Sequence, residues 1–153
     1  MAYKRPIRLT NPFITLSNDE ALPVTVDLTC YAKGVHLTPE EDDAAATFCD
    51  PLGYMWVLTI DLLQSLGAEG LHTLLNSLGG PGTLITFDVA FNGDVASVDN
   101  PHWTGQTRLS AWALIDAGIN ETTEINLEMD VIGDVLEDDG TVLQSVQREA
   151  VNA

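Results

Sequence analysis

The alternation of apolar and polar residues along the chain predicts several β-strands. Residues 24–31 alternate with a period of two, as in a strand with one buried face. Residues 54–63 are aromatic and β-branched on both faces, which is typical of a strand covered on two sides. The remaining predicted strands are residues 35–37, 83–91, 95–98, 103–115 and 122–132. The dipeptide Asn92-Gly93 predicts a tight hairpin turn between two of them.

A change of period after Gly67 predicts one helix. Leu71, Leu74, Leu75 and Leu78 are spaced as one face of an amphipathic helix, which we place at about 68–78. Glycines and a proline at 79–82 end it. The chain is therefore expected to be mainly β, a β-sandwich or barrel-like fold with one helix.

The 153 residues suit one domain with flanking segments. Residues 1–23 hold a basic cluster and two prolines, and we expect them to form an N-terminal arm. The single β domain is expected over 24–133, with a long acidic loop at 38–51. Residues 134–153 are expected to be a C-terminal tail.

The charge balance excludes conventional nucleic-acid binding. Against 23 acidic residues stand six Lys and Arg, for a formal net charge of −17, and neutralising phosphates requires Lys and Arg. No apolar run approaches the ~20 residues of a membrane-spanning helix, and the first residues lack the apolar stretch of a signal peptide. We expect a protein that is made and assembled in a cytoplasm, with no membrane partner.

The segment 122–131 alternates most strictly and is the most informative. One face carries apolar residues, and the other carries Glu124, Asn126, Glu128 and Asp130. Acidic residues are poor strand formers, and like charges on one face cost stability. The face is either an ordinary solvated surface or, because it contains no lysine, a surface that must not hold another polyanion.

Motifs for catalysis and cofactor binding were not found. The chain has no nucleophile elbow, zinc-protease helix, phosphate-binding loop or dinucleotide fingerprint. We therefore expect no enzymatic activity, no cofactor and no metal. Cys30 and Cys49 are expected to be buried free thiols, with a disulfide or a shared metal as the alternatives.

Several stretches together carry a family resemblance. They are the acidic Thr38–Asp43 with Ala46-Thr47-Phe48, the strand Tyr54–Ile60 leading to Gln64-Ser65, the Leu-rich helix, Thr83–Phe91, Asn100–Gly105 and the closing strand to Gly133. In this order they resemble the major tail tube proteins of bacteriophages with long, non-contractile tails, particularly those of actinobacterial hosts. The resemblance covers about residues 24–133 and rests on the order of the elements.

The resemblance implies a structural virion protein of the tail. Such proteins form rings of six subunits that stack into a hollow tube, through which genomic DNA passes during ejection. The implied partners are further copies of the chain and the tail-tip, tape-measure and tail terminator proteins, and DNA passes without specific binding. The alternatives are a tail terminator or a minor or distal tail protein of the same fold family, or a monomeric acidic β-sandwich that binds carbohydrate or calcium.

Two sets of residues receive hypothetical roles in this interpretation. The face that carries Glu124, Asn126, Glu128 and Asp130 would line the lumen, where carboxylates prevent DNA adsorption. Basic residues of the arm would contact an acidic patch on an adjacent subunit or ring; the arm residues are Lys4, Arg5 and Arg8, and the patch is Glu40, Glu41, Asp42 and Asp43.

Overall fold

Antiparallel strands make up most of the structure, a computed structural model that describes residues 5–19, 23–41, 54–141 and 143–145. The strands are β1 (Phe13–Asn18), β2 (Thr25–Asp27), β3 (Ala32–Glu41), β4 (Tyr54–Leu63), β5 (Leu84–Ala90), β6 (His102–Arg108), β7 (Glu124–Asp138) and β8 (Leu143–Ser145). One α-helix, α1 (Leu71–Ser77), lies between β4 and β5, and a 3-10 turn spans Thr29–Tyr31. The prediction of a mainly β fold with one helix is confirmed.

The strands form one sheet in the order β2-β1-β5-β6-β7-β4-β3, and β8 also pairs with β7. The first half of β7, residues 124–130, pairs with β4. Its second half, residues 131–138, pairs with β6. Gly133, at the start of this second half, has a φ of +79°, a conformation that side-chain-bearing residues rarely adopt. The long strand β7 therefore connects the two halves of the sheet through a local bend.

One buried cluster fills the space between the two halves. Strands β1 and β5 contribute Ile14, Leu16, Ile85 and Phe87, and strands β4 and β7 contribute Leu58, Ile60, Leu62, Ile125, Leu127 and Met129. Helix α1 packs on the same cluster through Leu71 and Leu75, which are fully buried, as is Leu78 just beyond it. Because side chains from both halves meet in one cluster, the sheet curves around its core.

Helix α1 is shorter than the predicted helix at 68–78. It begins at Leu71, whose backbone N–H donates to Oγ of Ser65 at 2.9 Å. Residues 67–70 form a turn instead, in which the N–H of Gly70 donates to the carbonyl of Gly67. The leucine spacing identified the buried face correctly, while the turn before it takes the first residues out of the helix.

The predicted domain limits at residues 23 and 133 do not coincide with the limits of the sheet. Within the expected arm, residues 13–18 form β1, which pairs along its whole length with β5. Its alternate side chains Ile14 and Leu16 are fully buried. This period-two pattern is typical of a strand, but the nearby prolines obscured it. At the other end, β7 continues to Asp138, and β8 lies within the expected tail.

The predicted acidic loop at 38–51 is wrong in its first part. Residues 38–41 belong to β3 and pair with β4 from Thr38↔Val57 to Glu41↔Tyr54. β3 is the last strand in the sheet order, and an edge strand tolerates a proline such as Pro39. Pairing with an apolar neighbour thus outweighs the poor strand propensity of these residues. Residues 42–51 lie outside the described part of the chain.

The predicted tight hairpin at Asn92-Gly93 is also wrong. Residues 91–101 form an irregular loop between β5 and β6, without a strand at 95–98. The buried side chain of Asn100 organises it, because its Nδ2 donates to the carbonyls of Asp94 at 3.1 Å and Asn92 at 3.4 Å. A side chain eight residues away therefore replaces the local turn.

Two further sequence expectations need correction. The predicted strand 103–115 ends at Arg108, after which Trp112 turns towards α1 and donates from Nε1 to Nδ1 of His72 at 3.0 Å. Cys30 is exposed in the 3-10 turn rather than buried, because the strand predicted for residues 24–31 ends at Asp27. Cys49 lies outside the described residues.

The close approach of β5 and β6 leads to a testable prediction. A Cβ added at Gly105 would lie 2.8 Å from two ring carbons of Phe87, which is fully buried. Gly105→Ala is expected to lower the free energy of unfolding by about 1–3 kcal/mol, as overpacked cores do. Denaturant titration measures this, with Gly93→Ala as the control at a site where the nearest atom is 3.9 Å away. Phe87→Leu should cost less in the Gly105→Ala background than alone, and strictly additive effects would contradict the proposed clash.

Candidate functional site on the acidic strand

The first half of β7 separates apolar from acidic side chains as the sequence predicted. Ile125, Leu127, Met129 and Val131 are buried. Between them, Glu124, Asn126, Glu128 and Asp130 are exposed. Residues two apart on a strand lie about 7 Å from each other, so these four form a regular row, which we call the acidic face.

Strand β4 widens the acidic face. In the ladder with β7, Asp61 is opposite Asn126 and Thr59 is opposite Glu128, and residues opposite each other on antiparallel strands project to the same side. Asp61 therefore adds a carboxylate beside the row on β7. The sequence does not single it out, because residues 54–63 have apolar residues on both faces and the single acid among them gives no separate signal.

A lysine and a histidine reach the acidic face at its β3 side. Nζ of Lys33 lies 2.5 Å from Oε1 of Glu124, and both side chains are about half exposed. Nε2 of His36 lies 3.3 Å from Oδ2 of Asp61. The expectation that this face carries no lysine is therefore wrong at its edge, since a residue distant in sequence supplies one. Glu128 and Asp130 lie farther along β7, towards its junction with β6.

The acidic face continues into an open depression beyond the start of β7. Its walls come from the preceding loop and from β7 itself, and its volume is about 590 Å³. The loop residues are Asp116, Asn120, Glu121 and Thr122. Oε2 of Glu121 accepts the backbone N–H of Gly118 at 3.1 Å, which holds the loop in shape. Carboxylates thus extend beyond the first residue of β7 into the preceding loop. The alternation along the strand does not predict this extension.

The residues expected to connect subunits are only partly described. Arg5, Arg8 and Glu40 are exposed. Glu41 is the last residue of β3. Lys4, Asp42 and Asp43 lie outside the described part of the chain. A contact between the arm and the acidic patch would involve a neighbouring copy, and it stays a prediction.

The described residues also bear on metal sites and on membrane spans. Among them, no group of three or more His, Cys, Asp or Glu side chains is arranged to hold a metal ion. None of the helices in the same part of the chain has the length and the apolar character needed to span a bilayer.

Comparisons with known proteins give one structural similarity. No family model matches the chain, and no curated protein matches it. The cryo-EM structure of the anti-feeding prophage (AFP) baseplate, 6-fold symmetrised, contains a chain that superposes with a TM-score of 0.46 and 13% sequence identity. The superposition covers 92% of this chain and 100% of that chain.

Matched charge removals on the acidic face test its electrostatics. Glu128→Gln is expected to leave stability unchanged or to raise it slightly, because it removes repulsion between like charges. Glu124→Gln also removes the partner of Lys33, so it should be less stable than Glu128→Gln by up to about 1 kcal/mol. Thermal unfolding at low and at high salt measures the difference, which should shrink as salt screens the pair. Equal stability of the two variants at low salt would contradict a contribution from Lys33.

Proposed function

We propose that this protein is a structural virion protein, not an enzyme, whose copies form six-membered rings that stack into the hollow tube of a phage tail. The observation that carries the proposal is the acidic face, where Glu124, Glu128 and Asp130 alternate with fully or nearly fully buried residues on one strand. The order of elements that resembles tail tube proteins supports the same assignment.

An acidic lumen suits the passage of DNA for an electrostatic reason. Carboxylates repel phosphates, so a DNA chain that moves past them meets no deep adsorption minimum. At physiological salt this repulsion decays over about 8 Å, so it acts only on DNA close to the wall. In a ring, symmetry would repeat the acidic face around the whole circumference.

Ring formation would also use the edges of the sheet. β2 and β3 are the end strands in the sheet order, and end strands present unpaired backbone groups to other chains. Pairing between neighbouring copies would close the sheets into a continuous barrel. Further copies of the chain, with the tail-tip, tape-measure and tail terminator proteins, would be the partners in this assembly.

Electron microscopy of the purified protein at high concentration and moderate salt tests the assembly. We expect hollow tubes or six-fold rings, either from the protein alone or after the tail-tip complex is added. Single rings that never stack would favour a tail terminator or a distal tail protein. Particles that stay monomeric even with the tail-tip complex would contradict the proposal and favour a binding module.

Charge reversal tests the lumen assignment. Tubes assembled from Glu128→Lys/Asp130→Lys are expected to retain short fluorescent duplex DNA, because the wall then attracts phosphates. The control is Asp19→Lys/Glu69→Lys, which reverses two exposed acids outside the acidic face and should retain little DNA. Retention by both variants, or a reconstruction that places the acidic face on the outer surface, would contradict the assignment.

A charge-reversed arm tests the proposed contact between subunits. Lys4→Glu/Arg5→Glu/Arg8→Glu is expected to abolish polymerisation, because the arm would then repel the acidic patch at Glu40–Asp43 of a neighbour. The thermal midpoint of the monomer should stay unchanged, since Arg5 and Arg8 are exposed. Lys4→Arg/Arg5→Lys/Arg8→Lys preserves the charge and should polymerise like the original chain. Normal tubes from the charge-reversed variant would exclude this role of the arm.

A further inference from the structure

The two halves of the sheet leave an apolar cleft at one end of the molecule. Its volume is about 570 Å³. Its main lining residues are Val35, Leu37, Trp56, Val89, Phe91 and Trp103. Within the described part of the chain, the buried Nε1 of Trp56 has no hydrogen-bond partner. A buried donor without an acceptor is costly, and this cost falls on a residue that lines the cleft.

The other end of the molecule carries an apolar projection. In the loop between β6 and β7, the side chains of Leu114, Ile115 and Ile119 are 57%, 87% and 93% exposed. We call these three residues the apolar knob. The loop that bears them is held in place, because Nε2 of Gln64 donates to the carbonyl of Ala113 at 3.2 Å and the N–H of Asp116 donates to Oγ1 of Thr123 at 3.1 Å.

The strand directions place the knob at the opposite end from the Trp103 side of the cleft. The knob lies between the last residue of β6 and the first residue of β7, whereas Trp103 and Glu137 of the cleft lie near the opposite ends of these strands. The hydrogen bonds that hold the loop keep the knob at its own end of the sheet. The knob therefore cannot reach the cleft of its own chain, but it can reach the cleft of another copy.

We propose that the apolar knob of one copy inserts into the apolar cleft of the next copy along the tube axis. Three exposed aliphatic side chains would be buried against the aromatic walls of the cleft. The contact joins two different surfaces of the same chain, and such a heterologous contact propagates instead of closing on itself.

The arrangement of these contacts into stacked rings rests on the proposed function. A single knob is small, so one contact holds two free subunits only weakly. Six contacts made in parallel between two rings would reinforce one another through their high effective concentration. Glu137 lines the cleft and Asp116 flanks the knob, so screening of these like charges by salt should strengthen the contact.

Matched loop variants test the inference. Leu114→Ser/Ile115→Ser/Ile119→Ser removes the knob, and it is expected to raise the protein concentration needed for stacking at least roughly tenfold. The control is Val95→Ser/Val98→Ser, which removes aliphatic side chains that are 87% and 76% exposed and do not line the cleft. It should stack like the original chain. Melting curves of both variants check that the fold is unchanged.

A mixing experiment tests the pairing of the two surfaces. Val35→Trp fills the cleft and leaves the knob intact. Rings of neither variant should stack alone, but preformed rings of the two variants should form one junction when mixed and stop at particles of twice the mass of one ring. Analytical ultracentrifugation measures this. If Val35→Trp does not fold, tryptophan fluorescence provides a second test. The emission of Trp56 and Trp103 should shift to shorter wavelength when the original chain stacks. It should not shift with the knob variant.

The outcomes separate this inference from the proposed function. Rings or tubes that form equally well from the knob variant would overturn the inference and leave the tail proposal intact. Linear head-to-tail assemblies without six-fold rings, abolished by the knob variant, would support the inference and contradict the tail proposal. An original chain that does not associate at high concentration and high salt would overturn the inference, as would a mixture that grows beyond one junction.

Discussion

The double pairing of β7 is the constraint on which both halves of the structure depend. Residues 124–130 complete the ladder with β4, and residues 131–138 complete the ladder with β6. The positive φ of Gly133 lies just beyond the point where the partner changes, and it bends the strand there. Side chains alternate along a strand, so a register slip of one residue would turn the acidic side chains into the core and the apolar ones outwards. The position of this one strand therefore fixes the core, the acidic face and the end of the sheet at which the cleft opens.

The acidic face is stable because the opposite side of the same strand is deeply buried. Fully burying one large aliphatic side chain stabilises a fold by about 1.5–3 kcal/mol, and Ile125, Leu127 and Met129 are each at most 2% exposed. Repulsion between neighbouring carboxylates costs less, and Lys33 reduces it at the β3 side. The chain can therefore keep a surface of one charge sign without losing the strand. Stability alone does not explain why these positions are acidic, which is the reason to relate them to a passing polyanion.

The sequence predicted the features that depend on local periodicity and missed those that depend on distant contacts. The alternation at 122–131 and the leucine spacing near α1 were correct because burial of one face sets both patterns. The strand at residues 38–41 was missed because its pairing with β4 overrides an acidic, proline-containing sequence. The hairpin at Asn92-Gly93 failed because Asn100, eight residues away, holds the loop. Likewise Asp61 and Lys33 join the acidic face only through the order of β3, β4 and β7, which no local pattern contains.

The distribution of apolar surface bears on the choice between a monomeric module and an assembling subunit. A module that binds a ligand needs a cleft, and the cleft beside Trp56 and Trp103 would serve. A monomeric module does not need three exposed aliphatic residues at the far end of the molecule, because such residues promote aggregation. A chain with formal charge −17 resists association, so a contact between copies would need exposed apolar surface such as the knob. A second copy offers a cleft of suitable chemistry at the correct end, and this relation between two distant surfaces favours an assembling subunit.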